Sequence, residues 1–343
     1  MREIKVGINE AGQRLDKLLR KYLKEAQSSF IYKMLRKKNI VLNDRKADGK
    51  EILAEGDSVK LYFSEETFGV MTGRTTVGEI VGKQDETTRR QGADAGRKLP
   101  EERIVYEDAQ LLVINKKAGW LSQSDGSAVI SANELCLSYL TESGQLTDTQ
   151  LETFKPSIAN RLDRNTSGLL LFGKTLPALQ ALSELLRDRS LRKYYLAVVR
   201  GEIHEGQKIS GFLTKDSKRN QVRITATAEG ESDPIETAYT PLYVQSGKHG
   251  YTVLRVHLIT GKTHQIRAHL ASIGHPILGD PKYGDRQENR YWQEKLGIRG
   301  QLLHAWELEF PQLSGTLEAL SGQQLRALPP KTFHNFTKAF MKE

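Results

Sequence analysis

The four consecutive hydrophobes Leu169-Leu170-Leu171-Phe172 constrain the fold most. An unbroken apolar run of this length, bounded by turn residues, reads as a buried β-strand. It is entered through Thr166-Ser167-Gly168, where hydroxyls can bond nearby backbone and Gly permits a tight bend. Just upstream lies Asn160-Arg161-Leu162-Asp163-Arg164-Asn165, with one acidic residue between two arginines. Nearby positive charge favours the ionised carboxylate, the state needed in a nucleophile or electrostatic stabiliser. Taken alone, an Arg-x-Asp-Arg loop is more often a solvated salt-bridge cluster than an active site.

Composition narrows the alternatives. A length of 343 residues allows two domains, or one large domain and a small one. No run approaches the roughly 18 apolar residues that a membrane helix needs. The opening Met-Arg-Glu-Ile-Lys-Val has no apolar signal-peptide core. The single cysteine, Cys136, excludes an internal disulfide framework and a Cys-based zinc cluster. Its setting, Leu135-Cys136-Leu137, points to a buried inert thiol, and a cytoplasmic location is expected. The glycines are scattered and form no phosphate-binding GxxxxGK[ST] loop.

Positive charge is concentrated near the N-terminus. Residues 14–63 carry thirteen Lys/Arg against seven Asp/Glu, a net of +6 within a chain total of +9. Localised basic charge is the footprint of a polyanionic partner, most simply nucleic acid. The segment reads as a small α/β unit. Leu15, Leu18, Leu19, Tyr22 and Leu23 recur at helical spacing, and a second helix is expected from near Ser29 with Ile31, Met34 and Leu35 as its apolar face. It closes in Arg36-Lys37-Lys38-Asn39, where basic side chains also suit a helix C-terminus. Strands are expected at Ile40-Val41-Leu42, before an Asn43-Asp44 turn, and at Val59, Leu61 and Phe63.

Two basic helices followed by a small sheet resemble the S-four (alpha-L) RNA-binding domain. The matching residues are Arg14-Leu15-Asp16-Lys17-x-Leu19, Ser28-Ser29, Asn39-Ile40-Val41-Leu42-Asn43 and Gly56-Asp57. The resemblance implies a grip on structured RNA through the second helix, with Lys33, Arg36, Lys37 and Lys38 as candidate phosphate contacts. Domain 1–63 is thus assigned to RNA binding. Residues 64–100, rich in Gly, Thr, Glu and Arg, read as a flexible linker.

From about Glu101 the chain becomes strand-rich. Strands are expected at Ile104–Tyr106, Leu111–Asn115, 168–173, 194–200, 251–258 and 302–310, and helices at 127–140, 176–188 and 263–273. This order predicts an α+β fold with a mixed, mainly antiparallel sheet over 101–325. The basic segment 326–343 is expected to be a loosely held tail.

Within this domain three motifs occur in order: the Asp163 cluster; Arg192-Lys193-Tyr194-Tyr195-Leu196 with its apolar continuation to Gly201; and Thr263-His264-Gln265-Ile266-Arg267-Ala268-His269-Leu270, ending in Leu278-Gly279-Asp280-Pro281-Lys282-Tyr283-Gly284. They are similar to those of the RluA family of RNA pseudouridine synthases, across roughly 101–310. One departure is Asn160, where the family commonly has His before Arg-Leu-Asp.

The resemblance implies isomerisation of uridine in RNA with no cofactor and no metal. Ribosomal RNA is the substrate expected first and transfer RNA second, acted on by a monomer without a membrane partner. Asp163 is then the catalytic carboxylate, acting at the ribose or base directly or assisting elimination at the sugar. Arg161 fills the space vacated by an extruded uridine. Tyr195, in the Lys-x-Tyr position, stacks on uracil and moves a proton. Tyr194 points to the other face of a strand. Arg267 pairs with Asp163, which leaves Arg164 as a surface charge. His264 and His269, at i,i+5, do not share a helix face as a zinc pair would. They and His275 are expected in RNA-facing or structural hydrogen bonds, and Leu278–Pro281 in a turn that shapes the pocket. Two rival readings remain: a catalytically silent ribosome-assembly factor on the same fold, and a glycoside hydrolase, which requires a second cooperating carboxylate.

Overall fold

A computed structural model describes residues 1–73, 98–216 and 221–338. The chain forms two compact units. One comprises Met1–Leu99, Leu137–Ser157 and Gly173–Gln180; the other comprises Pro100–Cys136, Ile158–Phe172 and Ala181–Glu343.

The first unit starts with strand β1 (Arg2–Lys5), helices α1 (Leu15–Tyr22) and α2 (Ser28–Arg36), and strands β2 (Ile40–Leu42), β3 (Arg45–Lys46) and β4 (Ser58–Leu61). The strands form an antiparallel sheet in the order β1-β4-β2-β3. Leu15, Leu18 and Leu19 of α1 and Ile31 and Leu35 of α2 are buried, as their helical spacing predicts. Asn43 and Asp44 both have positive φ, 51° and 60°, the backbone of a tight two-residue hairpin turn. Burial opposes the charge of Asp16. Tyr32 at 2.7 Å, Arg14 at 3.0 Å and Arg20 at 3.6 Å outweigh that and hold its carboxyl below the usual range.

The expected linker from residue 64 differs from the structure at its start. Helix α3 (Glu65–Thr72) is capped by Ser64, whose hydroxyl accepts from the Thr67 N–H, and Phe68 is buried in the same core as α1 and α2. Ser followed by two glutamates is a helix-start signal that the polar composition masks. Residues 74–97 of the expected linker lie outside the described residues. The unit also extends past residue 63 through later segments. The helix Asp148–Thr153 carries a Thr147/Gln150 capping box, and Thr153 Oγ1 donates to Glu10 at 2.6 Å. The Leu176 N–H donates to Asn9.

The second unit is built on a large sheet. Its strands are β5 (Ile104–Glu107), β6 (Leu111–Lys116), β7 (Ser157–Ile158), β8 (Ser167–Gly173), β9 (Arg192–Arg200), β10 (Gln207–Asp216), β11 (Gln221–Thr225), β12 (Asp233–Gln245), β13 (Tyr251–Leu258), β14 (Leu303–Glu309) and β15 (Gln324–Arg326). The path runs β11-β10-β12-β13-β9-β14-β8-β6-β5, with β15 added to β14. The pairs through β9 and β14 are antiparallel, and β14–β8 is parallel. The fold is therefore α+β with a mainly antiparallel sheet, as the interspersed strands and helices predict. All seven residues of β8 are buried. The helix expected over 127–140 starts later, at Ala132, because Ser131 and Glu134 form a capping box there.

The expectation of a loosely held tail is corrected. Beyond β15, Phe333 and Phe336 are each 2% exposed. Phe336 meets Tyr251 and Trp292 edge-on, at ring distances of 4.9 and 5.4 Å. Two aromatics three residues apart, on a short helical turn, hold a segment whose net composition is basic.

Candidate active site

The Asp163 loop joins the second unit's sheet through its last residues. Ser167 and Gly168 begin β8 and pair in parallel with His304 and Ala305 of β14. Gly168 has φ +113°, and a Cβ there would run into the backbone of Ala305, so glycine is required. Ser167 Oγ lies 2.8 Å from His304 Nδ1, while His304 Nε2 lies 3.0 Å from the Ala327 carbonyl. A carbonyl only accepts, so Nε2 carries the proton and Nδ1 accepts from Ser167. Burial pushes His304 down to about 4, which fits a neutral strut.

A second loop, 116–122, supports the other flank. Lys116 is fully buried, and its ammonium donates to the carbonyls of Trp120 at 2.8 Å, Arg164 at 3.1 Å and Lys117 at 3.3 Å. Burial pushes it down to about 7, against the charge of Asp163. Ser122 donates to the Leu162 carbonyl at 2.7 Å and accepts from the Leu162 N–H at 3.0 Å. The Gly119 N–H donates to the Arg164 carbonyl, and Arg164 Nε donates to the Gly119 carbonyl. Arg164 is thus a clamp between two loops, not only a surface charge.

Asn160, the departure from the family motif, accepts from the Leu171 N–H at 2.8 Å and donates to the Leu169 carbonyl at 3.4 Å. Its amide continues the pairing at the edge of β8, a task that needs one donor and one acceptor.

The carboxylate of Asp163 is 24% exposed and accepts from Arg267 Nη1 at 2.8 Å. Arg267, on the helix Gln265–Ser272, is itself fixed by a bidentate pair to Asp280, at 2.7 and 2.9 Å. Burial disfavours the guanidinium charge, but the two carboxylates outweigh it, and Arg267 is raised. Burial likewise disfavours the Asp280 charge; Arg267 and the backbone of Lys282 and Tyr283 hold that carboxyl below its usual range. One buried carboxylate therefore orients the arginine that holds the more open one.

Tyr195 is 7% exposed on β9; burial, then the Asp163 charge, raises its phenol, so it is protonated near neutral pH. Tyr194 faces away. Arg255 lies 3.5 Å over its ring, His257 stacks on it at 4.8 Å, and its hydroxyl reaches Glu309. Arg161, two residues before Asp163 in the chain, is exposed. The structure thus pairs Asp163 with Arg267 directly and places Tyr195 within reach of the Asp163 charge. Lys33, Arg36, Lys37 and Lys38 are exposed at the C-terminal end of α2 in the first unit.

The three histidines go to separate partners: His264 to Tyr283, His269 to Thr237 and His275 to the Arg200 carbonyl. Sequence reasoning leaves several residues without a role. Asp280 reads only as part of a turn. Lys116 carries no signal, because its partners are carbonyl groups that any residue supplies.

Residues 110–272, a span containing Lys116, Asp163, Tyr195 and Arg267, match the family model described as RNA pseudouridylate synthase. The chain is 32% identical to the ribosomal large subunit pseudouridine synthase C of Salmonella typhi over 313 residues, covering 90% of this chain and 88% of that protein. The enzyme of that name from Escherichia coli K12 matches to the same extent, and that of Vibrio vulnificus is 30% identical over 305 residues. Among solved structures, human RNA pseudouridylate synthase domain containing 4 superposes with a TM-score of 0.54 at 20% identity, covering 74% of this chain and 97% of that one. That similarity concerns the fold. With the sequence matches over nine-tenths of its length, the chain belongs to the RNA pseudouridine synthases.

Proposed function

We propose that this protein isomerises uridine to pseudouridine in ribosomal RNA of the large subunit, and that Asp163 is its essential residue. The reaction breaks the bond from C1′ to N1, turns the uracil, and forms a bond from C1′ to C5. The proton lost from C5 is balanced by one gained at N1. The observation that carries this reading is the partly open Asp163 carboxylate held by an arginine that Asp280 fixes in place. Attack at the sugar or base and assisted elimination all need that group ionised and oriented.

Tyr195 supplies a stacking face for uracil. Its protonated phenol takes part in moving the C5 proton only if it passes its own proton on in the same event. Arg161 occupies the space left by the extruded base. Lys33, Arg36, Lys37 and Lys38 contact phosphates of structured RNA, so their part in binding weakens with salt. The protein acts as a monomer in the cytoplasm, and transfer RNA is the second substrate class. The sequence similarity to enzymes named for the large ribosomal subunit supports the choice of ribosomal RNA.

The test is Asp163→Ala in the full chain, with pseudouridine mapped across total RNA. Product is expected to vanish while RNA binding stays within about twofold of wild type. Wild-type levels of product in the variant would refute the assignment. A wild-type protein that binds RNA and forms no pseudouridine would favour the silent assembly-factor reading.

A further inference from the structure

His264 stands beside Asp163 and has no assigned part in the reaction. Its backbone, at φ 55° and ψ 13°, is left-handed, a conformation that favours glycine and strains other side chains. Glycine would hold this turn with less strain, so what histidine adds at 264 is its ring. Non-glycine residues in this region mark places where surrounding structure enforces a geometry.

Both ring nitrogens have defined neighbours. Nδ1 lies 3.0 Å from Tyr283 Oη, and that oxygen accepts the Val222 N–H of β11 at 2.9 Å. The phenol's own proton remains available to Nδ1, and in the tautomer where Nδ1 accepts it the imidazole proton is on Nε2. Nε2 lies 3.9 Å from Asp163 Oδ2 with the ring 10% exposed. That separation is too long for a direct hydrogen bond and short enough for one oxygen to reach both atoms. Burial, with Arg267 and Lys282 nearby, holds the ring below the usual imidazole range against the pull of Asp163 and Asp280. Tyr283 is itself held, packing against the apolar cluster of Leu213, Val222, Ile235 and Ala268.

A group bridging these two atoms must accept from Nε2–H and donate to a carboxylate. A phosphate oxygen or uracil carbonyl only accepts. The uracil N3–H only donates. Within an RNA strand the 3′ and 5′ oxygens are esterified, which leaves the 2′-hydroxyl as the sugar group that does both. We propose that His264, its tautomer set by Tyr283, is a positioning residue that together with Asp163 holds the 2′-hydroxyl of the target ribose. The proposal rests on Asp163 being the carboxylate that acts on the uridine.

The test uses the full-length protein and an RNA fragment spanning the uridine that the wild type modifies, made with ribose or 2′-deoxyribose at that one position. Wild type is expected to bind the ribose form about tenfold more tightly. His264→Asn, which tolerates a left-handed backbone, should bind the two forms within about twofold of each other. It should also slow single-turnover conversion by about 10- to 100-fold, with an unchanged melting temperature. His264→Gln, whose amide can place a donor near the position of Nε2, should restore part of the preference. Tyr283→Phe, outside the bridge, should lose part of it.

A wild type indifferent to the 2′-hydroxyl overturns the proposal. So does a His264→Asn variant that keeps the wild-type preference or rate. If His264→Asn fails to fold, unaltered preference in both His264→Gln and Tyr283→Phe overturns it. Asp163→Asn separates the two levels. Product from that variant refutes the reading of Asp163 itself, whereas no product together with an unaltered preference in His264→Asn refutes only the role of His264.

Discussion

The tripeptide Arg-Leu-Asp occurs in both units, as Arg14-Leu15-Asp16 and Arg161-Leu162-Asp163, and the two aspartates end in opposite states. In both copies the leucine is buried. Asp16 lies on a helix, where Arg20 arrives one turn on and Tyr32 comes from the next helix. Its side chain is 7% exposed, and all these partners lie within 16 residues. Asp163 lies on a loop, keeps 24% of its side-chain surface, and takes its cation from Arg267, 104 residues away. Arg161 does for Asp163 none of what Arg14 does for Asp16. A carboxylate has about four acceptor positions. Where the protein fills most of them the group is structural, and where one fixed cation fills one of them the rest stay available to a substrate. Local sequence therefore predicts an ion pair equally well in both places, and tertiary structure decides which aspartate is open.

The largest effect that sharpens this contrast is expected from Asp280→Asn. Arg267 is 4% exposed and would lose its charged partner there while still facing Asp163. Product formation should fall by about 100-fold or more, and stability by about 3 kcal/mol. Single-turnover rates and denaturant midpoints measure the two, and a rate within threefold of wild type would show that Asp163 needs no oriented arginine.

Asp16→Asn should act the other way. It leaves Arg14 and Arg20 without their carboxylate, so the first unit should lose about 2 kcal/mol. Turnover of a short RNA fragment should stay within about twofold. Loss of turnover with intact stability would break the distinction between closed and open aspartates.

The smallest effect concerns Lys116. Its native value near 7 lies below the ordinary lysine value of 10.5 that the unfolded chain has. Between those values the unfolded state holds a proton that the native state has released, so this group makes stability rise with pH. The slope is at most about 1.4 kcal/mol per pH unit. In Lys116→Met that part of the rise between pH 7 and 8 should disappear from denaturant midpoints. An unaltered slope would mean that the three carbonyls keep the ammonium charged.

The elements legible in the sequence are those whose burial pattern is local. The run Leu169–Phe172 gives β8, and the leucines of α1 give its buried face. Strands β10 to β12, with Pro234 and Pro241 and many polar residues, carry no such signal, because their partners rather than their own composition stabilise them. The pairing of Asp163 with Arg267 is legible through motif order. The anchoring of Arg267 by Asp280 is not, since a Gly-Asp-Pro stretch reads first as a turn. Phe333 and Phe336 are hidden in the basic background of the C-terminal segment, as α3 is in a polar one.

The parallel pairing of β8 with β14 has a consequence for the timing of synthesis. Ser167 meets His304 across 137 positions of chain, so the segment that fixes the Asp163 loop is translated long after the loop itself. Closing so long a loop is entropically costly and comes late in folding. A nascent chain that has already completed α1 and α2 still lacks the strand that fixes its Asp163 loop. The geometry around Asp163 is thereby completed only once the chain has been made through β14.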